Sequence, residues 1–115
     1  MSKLDIHVGE TFADTKRRAL AAVARAKAGE TVHESHLSFA SWEALAAVMT
    51  PKRLELLRLV HREPQASIAA LTRALDRDYK RVHEDVEALV AAGLLSRIGN
   101  GLRADYDEIQ AAIAL

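Results

Sequence analysis

Leu4, Ile6 and Val8 alternate with Asp5 and His7, a period of two that predicts a short strand ended by Gly9. The period then lengthens. Phe12, Ala19, Leu20, Val23 and Ala26 fall on one stripe of a helix expected over residues 15–28, with Asp14 as its N-cap and Gly29 at the C′ position. Lys16, Arg17, Arg18, Arg25 and Lys27 decorate much of the remainder. Residues 30–40 read as a loop or a short extended piece ending in Leu37 and Phe39. Ser41 caps a short helix over 42–49. Phe39 and Trp42 are expected in the core, with a partner site as the alternative.

Thr50-Pro51 opens the next element. Threonine caps, and proline at the first helical position loses nothing because its N–H would be unpaired there. This helix runs to about Arg62, with Leu54, Leu57 and Val60 inward, and Glu63-Pro64 breaks it. Ser67 caps a helix over 68–75, and Asp78 caps a third over 79–92 that Gly93 terminates. Residues 94–98, Gly99-Asn100-Gly101 and residues 102–104 read as a hairpin. Ile109, Ala111, Ile113 and Leu115 alternate, which favours a terminal strand. The Ala-rich composition of that segment leaves a helix as the alternative. The first and last strands are expected to pair, within one chain or between two.

Helix, link, helix, turn, helix and hairpin in that order is the layout of a winged helix-turn-helix. The third helix must bury one stripe and offer the other to a DNA major groove. At about 100° per residue, Tyr79, Val82, Val86, Leu89 and Val90 cluster on one side. Arg77, Lys80, Arg81, Glu84, Ala88 and Ala91 cluster opposite. The exposed first turns are therefore basic and the later ones small. Lys80 or Arg81 can donate to guanine O6 and N7, and His83 can meet a base edge or a phosphate. Tyr79 is expected to pack its ring and reach a phosphate with its hydroxyl. Ser67 and the N–H groups behind it can hold a phosphate, and Arg97 and Arg103 flank the hairpin turn as wing contacts. Glu84 repels phosphate unless it accepts from cytosine N4 or pins a neighbouring arginine. Asp85 and Glu87 are expected on solvated flanks.

Residues 71–95 resemble the MarR/ArsR-type winged-helix transcriptional regulators. Residues 49–57 (Met-Thr-Pro-Lys-Arg-Leu-Glu-Leu-Leu), the block Asp-Tyr-Lys-x-Val-His-x-Asp-Val at 78–86 and Tyr-Asp-Glu-Ile at 106–109 are similar, more narrowly, to a prokaryotic group of DNA-binding regulators. Members of that group are often encoded beside a small toxin of the TumE type, as TumA-like antitoxins. The resemblance covers roughly residues 37–115. It implies a transcription regulator and toxin–antitoxin autoregulation. Asp76 stands where such regulators commonly carry glycine, and aspartate tolerates the left-handed turn.

Charge refines this picture. The 115 residues carry 16 basic and 16 acidic side chains, a net charge of zero that opposes polyanion binding through bulk charge. The sum hides unlike parts. Residues 1–49 hold six of each sign, residues 50–104 hold ten basic and seven acidic, and residues 105–115 hold three acidic and no basic. There is no cysteine, which excludes disulfides, thiolate metal sites and cysteine nucleophiles and fits a reducing cytoplasm. No apolar run approaches the roughly 18 residues of a membrane span, and residues 1–7 carry no signal core. His33-Glu34-Ser35-His36 sets two histidines three apart, but further ligands are far away in sequence, so a polar loop is expected. No phosphate loop or nucleophile elbow accompanies the Ser, His and Asp residues, and no enzyme or cofactor is predicted.

The expected protein is thus mainly α (α+β). An N-terminal extension over 1–49 serves dimerisation or partner contact, a winged helix-turn-helix over 50–104 binds double-stranded DNA, and a tail strand occupies 105–115. It acts as a cytoplasmic homodimeric repressor, and the resemblance implies that it is the autoregulating antitoxin of a toxin protein. The alternative is a winged-helix module that binds only proteins.

Overall fold

A computed structural model describes residues 2–30 and 35–115. The fold is α+β, and the chain divides into two compact units. The first comprises residues 1–45 with 108–115, and the second residues 46–107.

In the first unit, strand β1 (Lys3–Val8) leads through helix α1 (Phe12–Lys27) to strand β2 (Ser35–Phe39). The terminal alternation forms strand β5 (Glu108–Ile113), as its period of two predicts. It pairs with β1 within the same chain. The sheet is parallel throughout, in the order β2-β1-β5. Register sets Ile6 beside Leu37 and Ala111, and Val8 beside Phe39 and Ile113, so one face is apolar. His7 lies beside Ser38 and Ala112, and Asp5 beside His36 and Gln110, so the other face is polar. Leu4, Ile6 and Val8 are buried.

Helix α1 departs from expectation at both its start and its stripe. Thr11, not Asp14, is the N-cap. Its hydroxyl accepts from the Asp14 N–H at 3.1 Å while the Asp14 carboxylate accepts from the Thr11 N–H at 3.2 Å. This reciprocal box satisfies two orphan donors where an Asp14 cap would satisfy one. Gly29 does take a left-handed conformation after the helix, at φ +90°. No α1 residue is buried. The half-buried positions are Asp14, Thr15, Arg18, Ala22 and Arg25, whereas Phe12, Leu20 and Val23 are exposed. The expected core stripe therefore points outward. The reason lies in Glu10, a largely buried carboxylate that draws Thr15 and Arg18 inward (described below).

Helix α2 (Trp42–Val48) is capped by the Ser41 hydroxyl, which accepts from the Ala44 N–H at 3.2 Å. The division between the units falls within it. Leu45 is its buried residue, and Trp42, expected in the core, is exposed. Phe39 is half-buried.

The second unit holds α3 (Pro51–Arg62), α4 (Ile68–Leu75), α5 (Tyr79–Ala91), and the antiparallel strands β3 (Ser96–Ile98) and β4 (Gly101–Arg103). Thr50, Ser67 and Asp78 cap the three helices as their sequence positions predict, each accepting the N–H three residues on. Asp76 ends α4 in the left-handed region at φ 52°, the conformation expected of it. One apolar core joins the three helices, β4 and the link before β3 through Leu56, Leu57, Val60, Leu71, Val82, Val86, Leu89, Leu94, Leu95 and Leu102. Leu56 takes the buried place expected for Leu54, which is half-buried. Tyr79 is 52% exposed rather than packed.

A contact absent from the sequence patterns fixes the hairpin. Gln65, in the link between α3 and α4, exchanges both main-chain hydrogen bonds with Leu102, at 3.0 and 2.8 Å. The His61 ring also lies 2.7 Å from the Ala104 carbonyl. The hairpin is thus pinned to the end of α3 by backbone bonds and by the buried Leu102 side chain.

Candidate nucleic-acid interface

The second unit presents a cleft of about 350 Å³ lined by Ser67, Ile68, Ala69, Tyr79, His83, Arg97, Gly99 and Asn100. Four of the predicted site residues, Ser67, Tyr79, His83 and Arg97, thereby meet in one place. Each is held by a local cause. Ser67 is the N-cap of α4, so its hydroxyl marks the end where backbone N–H groups are unpaired. Tyr79 and His83 stand one helical turn apart on α5, with ring centroids 6.0 Å apart. Arg97 belongs to β3, and Gly99-Asn100 is the turn beside it, with Gly99 at φ +61°.

A small ion-pair network couples the hairpin to α5. Arg97 Nη2 donates to Glu87 Oε1 at 2.9 Å, and His83 Nε2 lies 3.9 Å from the same oxygen. Glu87, expected on a solvated flank with local ion pairs, is about half exposed there and holds Arg97, with His83 nearby.

Lys80, Arg81 and Glu84 are exposed on α5. Among the described residues, no hydrogen bond or ion pair holds the side chains of Lys80 and Arg81, so both cations are available to a ligand. Arg103 sits on β4, opposite Ser96 in register, with Nη2 3.2 Å from Asp105 Oδ1. Both groups are about half exposed, which makes the pair weak and exchangeable.

Arg77 is not part of this surface. Its Nη2 donates to Asp85 Oδ2 at 2.8 Å, while Arg53 Nε donates to Asp85 Oδ1 at 3.0 Å. All three side chains are 20% exposed or less. Arg53 also donates to the carbonyls of Ala47 and Val48. Asp85 therefore clamps the start of α3 and the turn before α5 onto α5 itself. Its place was legible: residues 82, 85, 86 and 89 share one helix face, so Asp85 lies within the buried arc and not on its flank.

The first unit contains a polar cluster that sequence reasoning missed. His7 Nε2 and His36 Nδ1 share a hydrogen bond of 2.8 Å. Glu10, 13% exposed, accepts from Arg18 at 2.6 Å, from Thr15 at 2.8 Å and from Ser38 at 3.4 Å, and its second oxygen lies 3.4 Å from His7 Nδ1. The hydrogen bond from Arg18 holds the Glu10 carboxyl below its ordinary value. Burial, then the positive charge of Arg18, holds the His7 imidazole below its own. Of the two histidines of the predicted polar loop, His33 lies outside the described residues. Among the described residues no group of three or more His, Asp or Glu is placed to hold a metal ion, and no helix is long and apolar enough to cross a membrane.

The second unit thus offers free cations on one helix face, a helix N-terminus and an arginine-bearing hairpin bordering a single polar cleft. Such an array can donate hydrogen bonds to acceptors on a polyanion. No curated protein and no solved structure matches the chain. The family HVO_A0114 matches residues 48–111, more than half of the chain and every element from α3 to β4, and the chain belongs to that family.

Proposed function

We propose that residues 46–107 form a winged helix-turn-helix that binds double-stranded DNA sequence-specifically and represses transcription by occluding a promoter. The observation that carries this reading is the surface of α5. Its exposed first turns bear Lys80 and Arg81 unpaired, while Val82, Val86 and Leu89 anchor the opposite side in the core. A helix anchored in this way can enter a major groove by its N-terminal end. Arg81 or Lys80 then donates to guanine O6 and N7. Glu84, three residues beyond Arg81, orients it or accepts from cytosine N4.

The cleft beside α5 supports backbone contacts that fix the register. The N-terminus of α4 at Ser67 and the hydroxyl of Tyr79 take phosphate oxygens, with His83 beside them. Arg97 and Arg103 reach the adjacent backbone or minor groove from the hairpin. A single module makes few such contacts, so a two-fold pair of chains reading an inverted repeat completes the proposal.

The test is selection of bound duplexes from a random pool, followed by footprinting on the chain's own promoter. An inverted repeat recovered in both supports the reading. Absence of any shift at low salt, with any duplex, overturns it.

A second reading has its own support. The outward stripe of α1, with Phe12, Leu20 and Val23 exposed, and the exposed Trp42 suit a protein partner. In that reading the chain is an antitoxin whose first unit covers a toxin, and DNA binding is its autoregulation. Co-expression with the product of the adjacent reading frame tests it: a complex that purifies intact and is lost on Leu20→Asp supports the reading, and separate elution of the two products rejects it.

A further inference from the structure

Among the described residues of the first unit, apolar burial is confined to Leu4, Ile6, Val8 and Leu45, which is sparse for a parallel sheet. Strand β5 forms one edge of that sheet, and among the described residues no strand pairs with its outer side. Natural edges are usually blunted by lysine, proline, a bulge or extreme shortness. In Glu108-Ile-Gln-Ala-Ala-Ile113 the charged side chain, Glu108, stands at the first position, and the five residues after it carry no charge, proline or bulge. Ile113 is 52% exposed and Leu115 fully so. The other edge differs, because Leu37 and Phe39 of β2 are half-buried.

We infer that the outer edge of β5 pairs antiparallel with β5 of a second copy of this chain, joining two three-stranded sheets into one of six. The occupant follows from self-complementarity. A two-fold axis at Ala111 sets Ile109 opposite Ile113 of the other copy, Ala111 opposite Ala111, and Gln110 opposite Ala112. The apolar face of each sheet then continues across the junction, whereas a slip of one residue would set apolar side chains against polar ones. Charge agrees. Each Glu108 lies at an outer end of the pair, beside Lys3 of its own chain in register, so no like charges face one another. The outward stripe of α1 is a poorer self-contact, because Lys16 and Lys27 lie on the same side as Phe12, Leu20 and Val23. A strand of about 20 Å gives less than the roughly 800 Å² per partner of a standard interface, so pairing belongs at micromolar chain concentrations.

This pairing deepens the two-fold reading given above, and its readout needs no DNA. The chain has no cysteine, so an introduced thiol reports without background. Directly opposite Cα atoms in an antiparallel pair lie within disulfide range. Mild oxidation of the full-length Ala111→Cys chain should therefore give a covalent dimer, and Ser38→Cys on the opposite edge should give none. In sedimentation at micromolar concentrations the natural chain should dimerise, and Ile113→Glu should weaken association roughly tenfold or more. Unchanged circular dichroism checks that this variant folds, and if it does not, the cysteine pair alone decides. A natural chain that stays monomeric overturns the inference. So does a dimer in which Ala111→Cys fails to cross-link, which would move the interface elsewhere. If the chain dimerises this way yet shifts no duplex, the DNA reading fails and this one stands.

Discussion

Asp85 is one carboxylate answering two arginines, and its removal leaves Arg53 and Arg77 as largely buried cations without a counter-charge. Breaking a buried pair from one side costs far more than the pair contributes net, because the remaining charge stays desolvated. Asp85→Ala should lower the stability of the second unit by about 2–4 kcal/mol in denaturant titration, with the rim of the site softening the loss. A loss below the scatter of surface mutants would mean that both guanidinium groups simply turn to solvent. Arg81 makes the opposite case. It is exposed and unpaired, so Arg81→Ala should leave stability unchanged and act on recognition alone. If it reads a guanine, discrimination between the selected site and random duplex should fall by about 1–3 kcal/mol. Equal weakening on both duplexes would reassign it to phosphate. Arg77→Ala should also lower stability, unlike Arg81→Ala but by less than Asp85→Ala because Asp85 keeps Arg53, although the two arginines share the exposed arc of a simple helical projection. Burial separates their roles, and projection alone could not.

Elements were legible where their signals are local. The caps Thr50, Ser67 and Asp78, the left-handed Asp76 and the Gly99-Asn100 turn act within a few residues, and the second unit's order of elements follows from them. What was not legible is non-local. The Gln65–Leu102 bridge spans 37 positions in the chain, and the His7–His36 bond spans 29. The parallel register that creates the latter leaves no periodic trace. Helix α1 shows the consequence, since its period of 3.6 identified a stripe but not the side of the helix that faces the sheet. Glu10 decides this, and its network predicts a pH response confined to the first unit. Burial holds the His7 imidazole below its ordinary value, with Arg18 and His36 opposing its charge and Glu10 and Asp5 favouring it. Its folded value lies below the ordinary 6.5, so the unfolded segment binds the proton more readily. Stability from this group is full above pH 6.5 and declines as the pH falls toward the lowered value. The Glu10 contribution is full above pH 4.5 and is lost only further down, as the pH falls through its own lowered value. Hydrogen-exchange protection of β1 and β2, corrected for intrinsic rate, should therefore fall in two stages on acidification. His7→Gln should remove the upper stage and keep the lower. A profile unchanged by that variant would show that His7 is not the titrating group.

The whole molecule has zero net charge, and DNA binding through a local patch makes a quantitative demand on it. Bulk attraction is absent, so the salt dependence should count only the cations that touch phosphate. Each phosphate neutralised contributes a slope of about −0.9 in log K against log salt. Lys80, Arg81, Arg97 and Arg103 are the candidates in each chain. Arg97 and Arg103 must exchange Glu87 and Asp105 for phosphate, and any cation that reads a base contributes little. Two or three effective contacts per chain, doubled by a two-fold pair, give an expected slope of roughly −4 to −5. A chain kept monomeric by Ile113→Glu should show about half of that, because each unit then meets the duplex alone. Titration of one selected site between 50 and 200 mM salt, at chain concentrations above and below the dimerisation midpoint, measures both quantities. A flat response would remove the patch as the source of affinity. A steep response identical in the natural chain and in Ile113→Glu would retain the patch and remove the pair, because the number of phosphates met is then a property of one chain.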